Sequence, residues 1–554
     1  MVWINKKITN ALSLSSLLFT NVCFAAPQTR VYNWTVTNFT SSYDGVRRYT
    51  LGINNNPGHA TVVDINLGDT IVVAVTNGLN VPTSLHWHGM RQYGTQEMDG
   101  PVGATQCGIQ PGKTVTYRFT PSEAGSYWWH GHYGAQYVDG LRGPLIIRNP
   151  NDPHKSDYDE EITIQLTDWY HTQSEILASN FLNSVVNPDG DEPVWETSLL
   201  NGLGNFNCAK TKMTCNTTQP VSKFNFISGK RYRLRIINMA AFAAYDFSID
   251  NHQMKVIEVD GVDTVTSNTI NMIKVNVAQR YSVIVTADQG SGNFWMRAKS
   301  IFGNPWTSLP KGQFPKGFNP NVVATVTYTN TQYATPLSQP WAQILRINDL
   351  TLVPYVAQKV RLAADQTFLV QFGIYNTNED PVTKAYVSIN NGSYNSYKVP
   401  TVPTLFAVAN GTTVSNLPTS SNAVSVQSGK LVEIKIINAD AGEHPFHMHG
   451  RAFWVVGKGN TASPYDVTPV KTINPLRRDT FTVPPCNIDA NDECIDVGYT
   501  TIRFIADNPG VWLLHCHIEW HIQSGLTMTI VEGADKLKNK GLGGFSKDLV
   551  NTCN

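Results

Sequence analysis

The chain has 554 residues, of which 41% are apolar and 15% charged, and its formal net charge is zero. That length suggests three or so domains, and the charge balance leaves no electrostatic case for binding nucleic acid or an anionic membrane surface. Thirty prolines, forty-one glycines and many Val/Thr/Tyr runs favour short strands and turns over long helices, so the composition reads as all-β.

At the start of the chain, Lys6 and Lys7 precede a mostly apolar stretch from Ile8 to Phe24 that ends in small residues. This is the order of a secretory signal peptide, residues 1–25, with cleavage after Ala25. Five Asn-x-Ser/Thr acceptors, at Asn33, Asn38, Asn216, Asn391 and Asn410, agree with export. No later stretch reaches the ~20 apolar residues of a membrane span. The expectation is a soluble, secreted, extracellular protein.

The first third carries Leu85-His86-Trp-His88-Gly89 and then Ala124-Gly125-Ser-Tyr-Trp-Trp-His130-Gly-His132. The last third repeats both patterns, as His444-Pro-Phe-His447-Met-His449-Gly450 and as Pro509-Gly510-Val-Trp-Leu-Leu-His515-Cys516-His517, followed by His521. The middle third keeps the frame without the histidines. Arg235-Ile-Ile-Asn238 leads to Phe247-Ser248-Ile-Asp250, as Lys435-Ile-Ile-Asn438 leads to Phe446-His447-Met-His449. The repeat predicts three homologous β-sandwich units, at 26–150, 151–335 and 336–554, with metal ligands in the first and third only.

Ten of the fourteen histidines fall in these four motifs; only His59, His154, His171 and His252 lie elsewhere. A lone His-x-His is usually a pair of ordinary strand residues, but four such clusters, one wrapped around a cysteine, are not scatter. In a strand, alternate side chains share a face, so His515 and His517 point one way and Cys516 the other. One segment can therefore serve two metal sites joined through the Cys516 backbone. Thiolate plus imidazole selects copper or zinc, and a structural zinc site closed by four ligands does not account for so many imidazoles. Of eight cysteines, Cys23 falls in the signal and Cys516 is claimed by metal. The other six permit fifteen pairings. Short loops favour Cys208 with Cys215 and Cys486 with Cys494, which leaves Cys107 for Cys553.

On these motifs the chain resembles the multicopper oxidases over its whole mature length, and within them the fungal laccases and iron-uptake ferroxidases. The resemblance implies three cupredoxin-like Greek-key β-sandwiches and four copper ions. His444, Cys516 and His521 would hold the mononuclear blue (type 1) copper. His86 and His447 would hold type 2 copper, and His88, His130, His132, His449, His515 and His517 the type 3 pair. Electrons would pass through Cys516 to a cluster that reduces O2 to water. Leu526 falls at the family's axial position, where a non-coordinating side chain raises the potential. Asp99 and Glu519 match the carboxylates of its proton relay.

The substrate end divides the two subfamilies. The loop Asn238-Met-Ala-Ala-Phe242-Ala-Ala-Tyr245 lacks the carboxylate with which laccases meet phenols. Glu192 and Asp440 match iron-side acids of the ferroxidases, whereas a third acid expected near Met296–Lys299 is missing. A high-potential copper beside the apolar Phe242 and Ala243 leans the reading toward laccase-like oxidation of phenols, with a soluble Fe(II) oxidase as the alternative. A copper carrier without turnover would need only the His444/Cys516/His521 site.

Overall fold

The computed structural model describes residues 26–301, 314–491 and 493–553. The signal-peptide reading and Cys23 lie outside them. Three pairs of twisted sheets follow one another along the chain, with strand content dominant as the composition predicts. The first pair has five and four strands; the second and third each have six and five.

Each pair is wired alike. In one sheet the opening strand runs parallel to a later one: Thr29–Ser41 beside Thr70–Asn77, Glu160–Trp169 beside Arg231–Asn238, and Gln366–Tyr375 beside Leu431–Asn438. The facing sheet also holds one parallel contact, as between Ala423–Val426 and Thr527–Glu532. The remaining ladders are antiparallel. Such crossed connections between two packed sheets are those of a Greek-key sandwich. Alternation does the rest: in Thr70–Asn77 every second side chain is buried, which fills the interior with Ile71, Val73 and Val75.

Each parallel strand of the first kind ends in an asparagine that braces the next loop. Asn77 donates to the carbonyls of Val81 and Ile109, Asn238 to those of Ala243 and Val275, and Asn438 to those of Gly442 and Pro484. Each side-chain oxygen accepts the amide of the residue two positions on. The brace satisfies loop groups that would otherwise be buried unpaired. It also fixes where the following strand, the histidine-bearing one in the first and third pairs, begins.

The six remaining cysteines form Cys107–Cys553, Cys208–Cys215 and Cys486–Cys494, and Cys516 is free and buried. The first bridge ties the chain's end to the first pair of sheets. Among the described residues no helix is long and apolar enough to cross a membrane.

Candidate metal centre

Two short antiparallel ladders place the histidines. In the first pair of sheets Leu85–His88 lies against Gly125–Gly131, with His86 opposite His130. In the third, His444–Met448 lies against Gly510–Cys516, with His447 opposite His515 and Phe446 opposite Cys516. Alternation sends Trp87 the other way, into an aromatic core with Trp34, Tyr117 and Phe119, which anchors the strand that presents His86 and His88. The two ladders meet across the interface between the first and third pairs.

Eight imidazoles converge there. Potential ligand atoms of His88, His130 and His517 lie within 4.8 Å of one another, as do those of His132, His449 and His515, and those of His86, His88 and His447. Hydrogen bonds on the outer side set the rings. His86 Nδ1 donates to the Asp99 carbonyl at 2.8 Å, His447 Nδ1 to the Asp479 carbonyl at 3.0 Å, and His130 Nδ1 to that of Gly131 at 3.0 Å. The Nε2 atoms of these three rings are buried without a partner. His88 is turned over: its Nε2 lies 3.3 Å from Thr480 Oγ1 and 3.4 Å from Asp479 Oδ1, and its Nδ1 is the unpartnered atom.

One contact bears on what belongs inside. His449 Nδ1 donates to Asp99 Oδ2 and His515 Nδ1 to the Cys516 carbonyl, both at 2.8 Å, yet their Nε2 atoms face each other at 3.1 Å. Two lone pairs that close require a shared or bridging electrophile. Burial first, and mutual repulsion second, hold His88, His130, His132, His449 and His517 well below the usual imidazole range, and His515 likewise. Neutral rings with inward lone pairs are what copper ions need, and the residues fit the ions.

The second site lies on the opposite face of the same strand. Cys516 Sγ is 3.3 Å from His521 Nδ1 and 3.8 Å from His444 Nδ1. Burial raises the Cys516 thiol, but the two rings outweigh it and lower it to about 7. Leu526 is fully buried, and its carbonyl accepts the Cys516 amide. The outer ring atoms meet the two acids read from the sequence: His521 Nε2 is 2.9 Å from Glu192 Oε1, and His444 Nε2 is 2.8 Å from Asp440 Oδ2. Beside them lies a pocket walled by Trp195, Phe242, Ala244 and Ile301.

Asp99 is fully buried against His86 and His449. Glu519 forms part of the wall of a cavity of about 470 Å³ that also exposes His130, His132, His515 and His517. Burial lifts its carboxyl to about 8, against the opposing bonds from Gln523 and Tyr137.

Three acids escaped the sequence reading. Asp479 touches His88 and His447; the only hint was the Arg477-Arg478-Asp479 cluster in a charge-poor chain. Glu443 enters the pocket beside His444, held by Lys274 at 2.5 Å and Asn276 at 3.1 Å. Asp168 accepts the amides of Ala241, Phe242 and Ala243 and so shapes the apolar loop from behind.

Multicopper oxidase family models match residues 35–152, 160–331 and 394–536. The chain is 37% identical to the iron transport multicopper oxidase fio1 of Schizosaccharomyces pombe, over 96% of its own length and 81% of that protein's. It is 34% identical to Laccase-2 of Cryptococcus neoformans, over 92% and 86%. Among solved structures it is similar to Fet3p, described as a multicopper oxidase that functions in iron import, with TM-score 0.81, 31% identity and coverage of 95% and 94%. The laccase of Botrytis aclada gives TM-score 0.80, 31% identity and coverage of 96% and 92%. With these matches and a histidine cage suited to several copper ions, the chain belongs to the multicopper oxidases, copper-dependent oxidoreductases that use O2.

Proposed function

We propose that this enzyme takes electrons one at a time from a small donor at the His521/His444 edge, and that Fe(II) is the donor this edge suits best. The observation that carries the reading is the pair of carboxylates, Glu192 and Asp440, each on the outer nitrogen of one of these histidines. Hard carboxylate oxygens suit a divalent iron ion and favour its trivalent product more strongly. Glu443, paired with Lys274, is a further acid beside His444, in the wall of the neighbouring pocket. A second reading, laccase-like oxidation of phenols, is favoured by the Trp195/Phe242 wall, which offers a ring an apolar face.

In this proposal His444, Cys516 and His521 hold type 1 copper, His86 and His447 type 2, and His88, His130, His132, His449, His515 and His517 the type 3 pair. When bound, the four coppers supply one-electron acceptance at the first site and reduction of O2 to two waters at the cluster. Cys516 joins the two through its peptide links to His515 and His517. Leu526, whose side chain carries no ligand atom, would leave the type 1 copper to His444, Cys516 and His521. Asp99, which accepts from the His449 ring, and Glu519, in the cavity wall, would supply protons for O2 reduction. Export through residues 1–25 would load the disulfides in an oxidising compartment.

The test is kcat/KM for Fe(II) and for a simple diphenol on one copper-loaded preparation, repeated with Glu192→Ala. Fe(II) preference lost selectively in the variant supports the iron reading; a diphenol preference untouched by it supports the laccase reading.

A further inference from the structure

We propose that Arg280, in the middle pair of sheets, is a positioning residue for the type 2 and type 3 ligands. It would clamp the Asp479 carboxylate and so fix the rings of His88 and His447. The inference rests on the ligand assignment proposed above.

Arg280 is fully buried. Its Nη1 and Nη2 donate to Asp479 Oδ1 and Oδ2 at 2.7 and 2.6 Å, its Nε to the Ser126 carbonyl at 3.0 Å, and Nη1 also to the Ala278 carbonyl at 3.1 Å. Its amide donates to Asp260 at 2.8 Å. One guanidinium thus touches all three pairs of sheets. A two-pronged grip fixes both carboxylate oxygens, which a single ammonium does not do.

Held this way, Asp479 Oδ1 lies 3.4 Å from His88 Nε2 and 3.6 Å from His447 Nδ1, and it accepts the Thr480 hydroxyl at 2.9 Å. The two rings stack with centroids 3.7 Å apart. The nearer acceptors are the Thr480 hydroxyl for His88 Nε2 at 3.3 Å and the Asp479 backbone carbonyl for His447 Nδ1 at 3.0 Å, so the clamped Asp479–Thr480 segment, not the carboxylate alone, selects the tautomer whose lone pair points inward. Gly89, next to His88, makes room for the clamp. It has φ +87°, and a Cβ there would lie 2.8 Å from both Arg280 Nη2 and Asp479 Oδ2. Arg478 supplies the contrast. It is as deeply buried in the same interface, but it pairs with Asp260 and Asp349, not with an acid on the histidines.

The experiment compares Arg280→Gln, Arg280→Lys, Gly89→Ala and Arg478→Gln as full-length copper-loaded protein. It reads copper per chain, the type 2 paramagnetic resonance, the blue absorption and Tm. Arg280→Gln should keep the blue band while its type 2 resonance is altered or lost and copper falls from four toward three. Arg280→Lys, which keeps the charge but not the fork, should fall between it and the unmodified protein. Gly89→Ala should disturb the same resonance, and Arg478→Gln should lower Tm with copper and resonance unchanged. An Arg280→Gln protein with four coppers and the unmodified resonance overturns the proposal, whatever its Tm. So does failure of all three clamp variants to fold while Arg478→Gln folds, because Arg280 would then be a strut. An unmodified protein without a type 2 resonance overturns the ligand assignment instead.

Discussion

The middle and third pairs of sheets solve the same backbone problem and differ in what they do with it. Asn238 and Asn438 brace equivalent loops through equivalent bonds. The next strands sit alike in their sheets: the Asp250 amide donates to the Trp295 carbonyl as the His449 amide donates to that of Leu513. The side chains diverge. In the third pair this position presents His449 to the cage. In the middle pair Asp250 is buried in a two-pronged pair with Arg297, at 2.8 and 2.8 Å, and takes the Ser338 hydroxyl. A Greek-key frame is thus held by backbone and loop bonds that barely notice whether its strand face carries ligands. Chemistry resides in a few outward residues and in what faces them.

The largest effect that separates the two regions is at this matched position. His449→Ala should lower turnover by more than about 100-fold, beyond the 10–100-fold typical of residues one shell further out. Asp250→Asn should leave kcat and the visible spectrum intact and lower stability by about 1–3 kcal/mol through its weakened bonds to Arg297 and Ser338. Steady-state oxidation and thermal melts on both variants check this; equal loss of turnover would erase the distinction.

A second contrast is in acid. Glu258, in the middle pair, is fully buried; burial raises its carboxyl, but Arg233 and Arg235 outweigh this and hold it at about 2. It also binds Ser126 of the first pair. A depressed folded pKa stabilises above the unfolded value near 4.5, and the gain is lost as pH falls through 2. The full gain is on the order of 3 kcal/mol. Denaturant midpoints between pH 5 and 2 should fall steeply in the unmodified protein and less in Glu258→Gln. Parallel curves would count against this clamp.

The smallest difference concerns the brace itself. Asn238→Ala and Asn438→Ala each strand two carbonyls and one amide, and each should cost about 2–3 kcal/mol. Only Asn438→Ala should also shift the blue absorption, since its loop carries Asp440 and leads into His444. Matching melts with one altered spectrum is the expected pattern.

Most of the cage was legible in the sequence because histidine is scarce there and strand alternation fixes its direction. His86, His88, His130 and His132, like His515, Cys516 and His517, state their faces by spacing alone. The local disulfides were legible from short loops, and the third repeat from Asn438 onward. Asp479, Arg280 and Glu443 were not. Arg280 meets Asp479 across 199 residues of sequence and Glu443 meets Asn276 across 167, and no local period encodes a cross-interface pair. Asp168 was missed for a related reason: it binds backbone amides, which leave no trace in residue identity.

The central claim is that one strand serves two copper sites through opposite faces, with Cys516 as the join. The direct measurement is the visible spectrum, copper content and O2-coupled turnover of Cys516→Ser beside the unmodified protein, with melting curves to verify the fold. The account predicts loss of the blue band and nearly all turnover while the fold and the histidine-cage coppers remain. A blue, active Cys516→Ser protein would contradict it.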